Sequence, residues 1–373
     1  MINFSQENLV DLDQRYMDQA LRLAARAVGR TRPNPVVGCV IVANNKVVGR
    51  GFHPQAGEPH AEVFALRDAG KKAQGATAYV TLEPCSHTGR TPPCATGLIK
   101  SGVSRVVVAM TDPNPKVSGA GLQMLQAAGI EVTTGVREEE AKSLNLPFIT
   151  WISHARPMLT LKMAASLDGK TATRTGESQW ITGPDARKHV QGMRNHHDVV
   201  LVGIGTVLAD NPRLNCRISG GRDPIRLVVD SSLRIPDSAT IYNSSKSAPL
   251  WIATLKKNST QKVNKLNKRG VKVIQCNETP DGKVDLAHMM LKLGELEITS
   301  VLSEAGGILS DGLLNAGVVD RLALFLAPKL IGGHDAPGLL KGLGIAKLAE
   351  AQEISNLKVT TVGGDLLLRG DVI

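Results

Sequence analysis

The sequence predicts an α/β protein made of two domains. Its 373 residues exceed the usual size of one compact domain. In both halves of the chain, short apolar runs of strand length alternate with segments of helical periodicity. Between the halves, the segment 138–157 starts with acidic residues, contains two prolines and precedes the point where the alternation restarts. We therefore expect one domain over residues 1–147 and a second over residues 148–373, joined near residues 146–157.

The first half alternates strands and helices in a regular order. Asn44-Asn45 interrupts an apolar run and predicts a turn between two strands. The predicted order is a helix over 13–30, two strands within 37–51, a helix over 60–73, a strand over 78–84, a helix over 92–102, a strand over 105–110, a helix near 119–128 and a strand over 130–134. This order predicts one sheet with helices packed against it.

The second half repeats the alternation. Strands are predicted over 158–166, 198–205, 224–230, 249–254, 271–276, 299–307, 322–330, 357–362 and 365–370. Helices are predicted over 184–195, 259–269 and 285–294. The pattern again indicates an α/β domain with its own sheet.

Composition and charge argue against several classes of function. The net charge of +10 is spread thinly, as +3 over residues 1–147 and +7 over the remainder, without a basic block. Aromatic residues make up 3% of the chain, which disfavours a platform that stacks on single-stranded nucleic acid. The sequence has no apolar run of membrane-spanning length and no signal-peptide pattern at its start. We expect a cytoplasmic protein that binds an anionic small molecule, without nucleic-acid or membrane partners.

The five cysteines are few and odd in number, which favours metal binding or simple burial over a disulfide framework. Cys85 and Cys94 lie in EPCSHTGRTPPC, residues 83–94, and His60 opens the stretch HAE. One imidazole and two thiolates are three of the four ligands that tetrahedral Zn²⁺ prefers. Prolines before His60 and Cys94 predict helix starts there, where the positive end of the helix dipole favours a thiolate.

Three interpretations of this cluster remain open. The cysteines are inert and buried, or they form a closed structural zinc site with His53 or His87, or they form an open catalytic site. The third is favoured because Glu62 follows His60 by two residues. A carboxyl group at that place can move protons from an attacking water to a ring nitrogen and a departing amine.

The HAE and EPCSHTGRTPPC stretches resemble the zinc site of the cytidine deaminase superfamily. Most of its members place two residues between the cysteines, whereas eight intervene here. This longer loop, with PNPVVG at 33–38 and GFHPQAGEPHAE at 51–62, resembles the deaminase half of the bifunctional riboflavin-biosynthesis deaminase–reductase family, over residues 13–150. The resemblance implies a cytidine-deaminase-like α/β/α zinc domain.

The same resemblance implies substrate contacts in this domain. Asn34 would bind the pyrimidine and His53 would make a second contact, while His87 and Arg90 would reach the substrate phosphate and ribose. Arg90 stands where lysine is more frequent in the family, and either side chain binds a phosphate. For Asn34, which lies between two prolines, a plain turn residue remains the alternative. For His53 a structural role remains open.

The second half contains two glycine turns that follow predicted strands. They lie in DVVLVGIGT, residues 198–206, and in SEAGGILSDG, residues 303–312. Backbone amides at such turns bind the pyrophosphate of a dinucleotide. No GxGxxG opens a βαβ unit early in this half, and glycine pairs of this kind are often only tight turns.

These turns and LKMAASLDGKTATRTGESQWITG, residues 161–183, resemble the reductase half of the same family over about residues 157–370. The resemblance implies a dihydrofolate-reductase-like α/β domain with NADPH as its cofactor. The implied cofactor contacts are Ala164, Trp180, Thr206, Asp210, Ser232, Gly306, Gly307, Ile308, Leu309, Ser310, Asp311 and Gly312. The implied substrate contacts are Ser178, Arg194, Leu214, Arg217 and Glu304.

The chemistry of some of these residues supports their implied roles. Arg194 and Arg217 suit a phosphate, because a planar guanidinium binds it through two hydrogen bonds. An Asx turn remains the alternative for Asp210, and core packing remains the alternative for Trp180. Where VHxLR is common in the family, this chain has VQGMR at 190–194, which keeps the arginine but not the histidine.

The implied function is a bifunctional enzyme of riboflavin biosynthesis. One zinc ion per chain would serve hydrolysis of the 2-amino group of 2,5-diamino-6-ribosylamino-4(3H)-pyrimidinone 5′-phosphate, with Glu62 as the proton shuttle. Hydride from NADPH would then reduce the ribosyl group, in its open imine form, to ribityl, with Asp210 as the candidate acid or positioning group. A homo-oligomer, dimer or tetramer, is expected.

Two other classes of function are kept as alternatives. One is a nucleic-acid or nucleoside deaminase with an accessory nucleotide-binding domain, against which the scarce aromatic residues count. The other is a non-catalytic binding protein stabilised by zinc, against which Glu62 counts, since a structural zinc does not need it.

Overall fold

The computed structural model describes residues 4–86, 93–114, 118–243 and 248–373. The chain separates into two compact units, residues 1–154 and 155–373. Each unit contains one sheet with helices packed against it, which confirms the predicted fold class.

The described part of the first unit has five α-helices and five strands. The helices are α1 (Phe4–Ala25), α2 (Ala61–Ala69), α3 (Cys94–Lys100), α4 (Ala120–Ala127) and α5 (Glu138–His154). The strands are β1 (Gly38–Ala43), β2 (Lys46–Phe52), β3 (Thr77–Val80), β4 (Arg105–Val108) and β5 (Glu131–Thr134). Their order is β2-β1-β3-β4-β5, with β1 antiparallel to both neighbours and β3, β4 and β5 parallel.

Both faces of this sheet are buried because side chains alternate along each strand. On one face Ile41 and Val80 pack with alanines of α2 and with α3. On the other face Val40 and Tyr79 pack with Met17 of α1. The result is the three-layered α/β/α arrangement that the family resemblance implies.

A buried ion pair fixes α1 to the sheet. Arg105 on β4 donates two hydrogen bonds of 2.8 Å to the carboxylate of Asp13, and the Tyr79 hydroxyl donates a third, also of 2.8 Å. The Asp13 side chain is only 6% exposed. A buried carboxylate that is this fully paired holds one register of the helix on the sheet, since any shift leaves a charge without partners.

Two glycines of β2 determine how closely α2 lies on the sheet. A Cβ atom on Gly49 would lie 2.2 Å from the carbonyl oxygen of Ala65, and one on Gly51 would lie 2.2 Å from that of Ala61. These distances are far inside van der Waals contact, so only glycine permits the approach. The backbone of α2 therefore lies directly against β2.

Helix α5 extends to His154, so the predicted domain boundary at residue 147 falls inside a helix. The compact units divide after His154, within the predicted linker region 146–157. Pro147 removes a backbone donor from this helix. Tertiary contacts maintain the helix: the Asn145 amide accepts a hydrogen bond from the Val36 N–H at 2.8 Å and donates one to its carbonyl at 3.0 Å.

The described part of the second unit has five α-helices and nine strands. The helices are α6 (Pro184–His196), α7 (Ile204–Asp210), α8 (Thr260–Lys268), α9 (Leu286–Glu295) and α10 (Gly307–Asn315). The strands are β6 (Met158–Ser166), β7 (Val199–Gly203), β8 (Ile225–Val229), β9 (Leu250–Leu255), β10 (Lys272–Cys276), β11 (Ser300–Ser303), β12 (Arg321–Ala327), β13 (Ile354–Val362) and β14 (Asp365–Val372). Their order is β10-β9-β8-β7-β11-β6-β12-β14-β13.

Seven neighbouring strands of this sheet, from β10 to β12, are parallel, and β14 and β13 are antiparallel at one edge. The carboxyl ends of the parallel strands meet at one edge of the sheet, where α/β proteins bind ligands. The turns that follow β7 and β11 lie at this edge, and so does Ser166 at the end of β6.

Helix α7 is absent from the sequence prediction, which extends a strand to residue 205. The strand β7 ends at Gly203, and a helix begins at Ile204. Ile204 and Val207 are buried one turn apart, so the apolar run serves the strand first and then one face of a helix. Apolar runs of this length do not distinguish the two structures.

None of the helices in the described ranges is long and apolar enough to cross a membrane.

The substitution Gly51→Ala tests the packing of α2. We expect the new methyl group to displace α2 from β2 and to destabilise the first unit by about 3 kcal/mol, the range of overpacked cores. Hydrogen–deuterium exchange of the full chain, followed in peptides from α2 and β2, measures the loss. The control is Gly97→Ala in α3, where a Cβ would meet only Leu66 at 3.7 Å. Equal protection in the two variants would contradict the packing argument.

Candidate active sites

Three predicted metal ligands converge in the first unit. The Nδ1 atom of His60 lies 3.2 Å from Sγ of Cys94 and 3.7 Å from Sγ of Cys85, and all three donor atoms lie within 4.8 Å of one another. Tetrahedral zinc, with bonds of about 2.0 Å to nitrogen and about 2.3 Å to sulfur, needs nitrogen and sulfur about 3.5 Å apart. The donor set therefore fits a zinc ion.

The three donors come from the starts of two helices and from one loop. His60 is the residue that precedes α2, and Cys94 is the first residue of α3. Cys85 follows β3, and the Cys94 N–H donates to its sulfur at 3.3 Å while the Ala95 N–H donates to its carbonyl at 3.2 Å. The start of α3 thus orients Cys85 as well as supplying Cys94.

Hydrogen bonding shifts the pKa values of the two cysteine thiols in opposite directions. The Cys94 thiol, His60 and the Cys94 N–H lower the pKa of Cys85 to about 4. The resulting thiolate at Cys85, together with burial, holds the pKa of Cys94 well above its usual value. A site that already stabilises one thiolate next to a histidine ring is suited to a divalent cation, which deprotonates coordinating thiols.

Glu62 is buried next to these donors, with 4% of its surface exposed. Burial raises its pKa, and the negative charge of Cys85 adds to the effect. The carboxyl group also interacts with Cys94, and its charge raises the pKa of the buried Cys39 thiol. A carboxyl group whose proton affinity is raised by burial suits the proton transfers predicted for it.

Asn34 and His53 lie side by side near the metal ligands. The Nε2 atom of His53 accepts a hydrogen bond of 3.1 Å from the Asn34 amide, and its Nδ1 atom donates to the carbonyl of Pro59 at 3.1 Å. Burial lowers the pKa of His53, which favours the neutral ring that this hydrogen-bond pattern requires. Its ring lies edge-on to His60 at 5.5 Å. His87 and Arg90 lie outside the described residues.

Two residues that position this site were missed by the sequence analysis. The buried Glu83 carboxylate accepts backbone hydrogen bonds from Asp112, Gly119 and Gly121, at 3.2, 3.0 and 3.0 Å. It thereby ties the segment that contains Cys85 to the start of α4. Asn145 holds Val36, two residues after Asn34. Neither residue has a sequence signal of its own, because both act through backbone contacts distant in sequence.

The proposed dinucleotide site brings together the turn after β7 and the turn after β11. A Cβ atom on Gly306 would lie 3.9 Å from the Thr206 hydroxyl, and one on Gly203 would lie 3.3 Å from Leu309. The start of α10 therefore lies against the start of α7 at the carboxyl edge of the sheet. Backbone N–H groups at a helix start bind phosphate, so the arrangement fits NADPH.

Residues Gly307 to Gly312 form the first two turns of α10. Ile308 is 66% exposed, whereas Ser310 is buried and its hydroxyl donates to the Ala305 carbonyl at 3.3 Å. The Asp311 carboxylate accepts a hydrogen bond of 2.9 Å from Asn315. The exposed part of this helix start is the part that is free to meet a cofactor.

Two of the predicted substrate residues pair with each other. The Arg194 guanidinium donates to both carboxylate oxygens of Glu304, at 2.6 and 3.0 Å, and to the Asn215 carbonyl at 3.1 Å. Both side chains are about 10% exposed, at 11% and 10%. We expected the Arg194 guanidinium to bind a phosphate through two hydrogen bonds. In the structure it donates those hydrogen bonds to the Glu304 carboxylate.

A third charged residue, which the sequence analysis missed, lies beside the Arg194–Glu304 pair. Lys162 on β6 lies 4.0 Å from Glu304. Burial raises the pKa of Glu304, but the positive charges of Arg194, Lys162 and Arg217 outweigh burial and lower it overall. Burial also lowers the pKa of Lys162. Glu304 is thus a buried carboxylate that stays charged, surrounded by cations.

The remaining predicted residues of this unit occupy several environments. Ala164 lies within β6 and packs near Phe325, and Leu214 is buried in the core with a positive φ of 56°. The exposed ones are Ser178, Trp180, Asp210, Arg217 and Ser232. Because the Leu214 side chain is in the core, a substrate could meet only its backbone. Trp180 is 62% exposed, so core packing does not explain it.

Comparison with known families agrees with the division into two domains. The cytidine and deoxycytidylate deaminase zinc-binding region matches residues 10–110, and the RibD C-terminal domain matches residues 157–368. The fold and the matches together define a zinc-binding deaminase domain followed by a reductase domain. The chain belongs to the RibD family of riboflavin biosynthesis proteins.

Relatives match over nearly the full length. The riboflavin biosynthesis protein RibD of Aquifex aeolicus (strain VF5) is 45% identical over 360 residues, which are 96% of this chain and 98% of the relative. The RibD protein of Escherichia coli (strain K12) is 46% identical over 369 residues, covering 95% of this chain and 98% of the relative. Since both halves match together, the predicted resemblance to the bifunctional family is confirmed.

Solved structures also agree with the assignment of this chain to the RibD family. Acinetobacter baumannii RibD, form 1, superposes with a TM-score of 0.87 at 41% identity and covers 98% of this chain and 99% of its own. A Thermotoga maritima protein described as a diaminohydroxyphosphoribosylaminopyrimidine deaminase/5-amino-6-(5-phosphoribosylamino)uracil reductase gives a TM-score of 0.85 at 34% identity, with the same coverage.

Metal analysis tests the zinc site. We expect the purified protein to hold about one zinc ion per chain, and both Cys85→Ala and Cys94→Ala to lose it, because two remaining donors bind zinc weakly. Atomic emission spectroscopy after dialysis against a mild chelator measures the zinc content. The control is Cys276→Ala, which removes a buried thiol from β10 in the other unit. Retention of stoichiometric zinc by either site variant would remove that cysteine from the ligand set.

Proposed function

We propose that this enzyme catalyses two consecutive reactions on one phosphorylated pyrimidine of riboflavin biosynthesis. The first is hydrolytic deamination of 2,5-diamino-6-ribosylamino-4(3H)-pyrimidinone 5′-phosphate. The second is NADPH-dependent reduction of its ribosyl group to ribityl. The observation that carries the proposal is the buried Glu62 beside His60, Cys85 and Cys94, in a chain that also contains the RibD-type reductase domain.

Deamination requires proton transfers that Glu62 is suited to perform. Zinc, when held by His60, Cys85 and Cys94, supplies Lewis-acid activation of the attacking water. Glu62 takes a proton from that water and delivers protons to the ring nitrogen and to the departing amine. Its raised pKa, caused by burial, brings its proton affinity closer to that of these groups.

The Asn34–His53 pair is our candidate for pyrimidine recognition. The neutral His53 ring fixes the Asn34 amide, and Asn145 fixes the segment behind it. A preorganised amide offers a donor and an acceptor to a pyrimidine edge at little entropic cost. His87 and Arg90 remain our candidates for contacts with the ribose and phosphate.

In the reductase domain, bound NADPH supplies the hydride that reaches C1′ of the open imine form of the sugar. We assign cofactor contacts to Ala164, Trp180, Thr206, Ser232 and the start of α10, from Gly306 to Gly312. The charged Glu304 and its partner Arg194 would position the sugar. Asp210, at the exposed end of α7, stays our candidate for the acid or positioning group.

Two arginines were expected to bind the substrate phosphate. Arg194 is paired with Glu304, so Arg217 is our remaining candidate for this contact. It is exposed, its backbone N–H is held by Gln191 at 3.0 Å, and no ion pair of its side chain exists among the described residues. Ser178, in an exposed loop, and the backbone of Leu214 complete the proposed substrate contacts.

We also infer a cytoplasmic homo-oligomer, a dimer or a tetramer. All five cysteines are free, as a reducing compartment favours. Leu330, Leu343 and Leu348 are 78%, 108% and 87% exposed, and apolar exposure of this size supports an interface between copies. Light scattering after size exclusion measures the mass that tests this inference.

Glu62→Gln tests the proton shuttle. The amide cannot accept a proton, so we expect deamination to fall by a factor of about 10³ while zinc stays bound. Ammonia release, zinc content and reduction of pre-deaminated substrate are measured on the same preparation. The reductase rate is the internal control and is expected to stay within twofold of wild type. Deamination at a near-normal rate would contradict the assignment.

A double-mutant cycle tests whether Arg194 and Glu304 act as one unit. We expect Arg194→Ala and Glu304→Gln each to lower the reductase kcat/KM strongly, and the double variant to be no worse than the poorer single one, because each charge works through the other. Steady-state kinetics of all four proteins measures the coupling. Additive losses would instead indicate that each residue contacts the substrate independently.

A further inference from the structure

A long irregular segment follows β12 in the reductase domain. Residues 328–342, which we call the strap, contain no helix or strand and only one isolated bridge, between Gly338 and Lys170. Segments of this length without secondary structure are uncommon in compact domains and are often functional. The strap starts at the carboxyl edge of the sheet, where β12 ends. It therefore begins on the side of the sheet where the proposed cofactor site lies.

The loop after β6 anchors the first half of the strap through Asp168. The Asp168 carboxylate accepts hydrogen bonds from the backbone N–H groups of Ile331 at 3.1 Å and Gly332 at 2.7 Å. It also accepts one of 2.5 Å from the Ser166 hydroxyl. The Ser166 hydroxyl and these two N–H groups lower the pKa of Asp168 to about 2. The anchoring carboxylate is therefore charged at neutral pH.

Two further residues of the same loop contact the strap. The backbone N–H and the hydroxyl of Thr171 both donate to the Pro337 carbonyl, at 2.8 and 3.2 Å. The Lys170 ammonium group donates to the Ala336 carbonyl at 3.1 Å. Ala336 itself is buried, with 4% of its surface exposed. The strap thus has a defined position on this loop.

The second half of the strap lies on the start of α10. The Lys341 N–H donates to the Gly307 carbonyl at 3.2 Å. A Cβ atom on Gly307 would lie 3.0 Å from the carbonyl oxygen of Leu339, and one on Gly342 would lie 2.0 Å from the Asp311 carboxylate. The strap backbone is therefore in direct contact with the helix start to which we assign the cofactor.

The strap also contacts the exposed segment that contains Trp180. The Lys329 ammonium group donates to the Trp180 carbonyl at 2.9 Å, and the Lys329 carbonyl accepts the N–H of Leu167 at 2.8 Å. Trp180 and the start of α10 are both among our proposed cofactor contacts, although they come from distant parts of the sequence. The strap connects these two parts of the proposed site.

We propose that Asp168 is a positioning residue for NADPH: it anchors the strap, and the strap holds Trp180 and the start of α10 in the arrangement that binds the cofactor. A preorganised site binds more tightly, because less conformational entropy is lost on binding. The assignment rests on the proposed function, in which these residues meet NADPH.

The exposure of Asp168 determines what its loss would change. Asp168 is exposed, so water competes for its hydrogen bonds and its contribution to global stability is small. Removal of the carboxylate would therefore loosen the strap locally and leave the domain folded. This separates an effect on cofactor binding from an effect on folding.

Two substitutions at Asp168 and one at the far end of the strap test the proposal. Asp168→Ala removes the acceptor, and Asp168→Asn keeps one neutral acceptor oxygen. Gly342→Ala places a methyl group against Asp311 and displaces the strap from α10. The matched control is Asp371→Asn, which neutralises a partly exposed carboxylate that accepts a hydrogen bond of 3.1 Å from Arg321, at the amino edge of the sheet.

Four measurements are made on each full-length variant. Calorimetry gives Kd for NADPH, and steady-state kinetics at saturating NADPH gives kcat and KM for the deaminated substrate. Hydrogen–deuterium exchange of the ligand-free protein is followed in peptides from the strap and from α10. Light scattering gives the oligomer mass, because Leu330 of the strap belongs to the exposed leucines that we assign to an interface between copies.

We expect Asp168→Ala to raise Kd for NADPH about tenfold, the effect of one lost charge-assisted hydrogen bond. Asp168→Asn raises it less, and Gly342→Ala also raises it. The double variant of Asp168→Ala and Gly342→Ala binds no more weakly than the poorer single one, because both changes release the same strap. Exchange becomes faster in the strap and in α10, while kcat, KM and the oligomer mass stay within error of wild type. The control variant behaves as wild type throughout.

Three outcomes would overturn the proposal. Faster exchange of the strap with an unchanged Kd for NADPH would show that the strap does not shape the cofactor site. A raised KM for the substrate alone would assign the strap to the substrate. Weaker NADPH binding only in variants that lose oligomer mass would assign the effect to contacts between copies. A wild-type protein that failed to bind NADPH would instead contradict the proposed function and, with it, this proposal.

Discussion

The close approach of α2 to β2 is the constraint on which the deaminase site depends. Gly49 and Gly51 allow the backbone of the helix to lie against the strand, and the helix start then places His60 and Glu62 opposite the loop after β3. A side chain at either glycine would move both residues together. His60 and Glu62 are therefore held as one unit, because both lie at the start of a helix whose distance from the sheet is fixed.

The two proposed sites use buried carboxyl groups in opposite ways. For Glu62 burial is the largest effect and raises its pKa, although the neighbouring His60 opposes it. Glu304 is also buried, but Arg194, Lys162 and Arg217 lower its pKa. Burial alone raises the pKa of a carboxyl group, whereas several nearby cations lower it. The first condition suits proton transfer, and the second suits orientation of a polar sugar.

Helix α6 links recognition to chemistry in the reductase domain. One face of it carries Gln191 and Arg194, so a single rigid element holds the backbone of Arg217 and the partner of Glu304. Residues on one helix keep their spacing when the loops around them move. The proposed reductase site takes residues from β6, β11 and the segment after α7. The rigid helix α6 helps to keep these residues in a fixed arrangement.

The sequence by itself determined the fold class, because strand and helix periodicity are local signals, and it singled out His60, Cys85, Cys94 and Glu62 as a candidate metal site through the chemistry of those residues. It also suggested which residues of the second half meet NADPH and substrate, through resemblance. Only the tertiary structure decided that α5 continues through Pro147, that a helix follows Gly203, and that Arg194 faces Glu304. It also revealed Glu83, Asn145 and Lys162 as supporting residues. These features arise from contacts between segments far apart in the chain, and the energy of such contacts depends on distances that periodicity and motif do not encode.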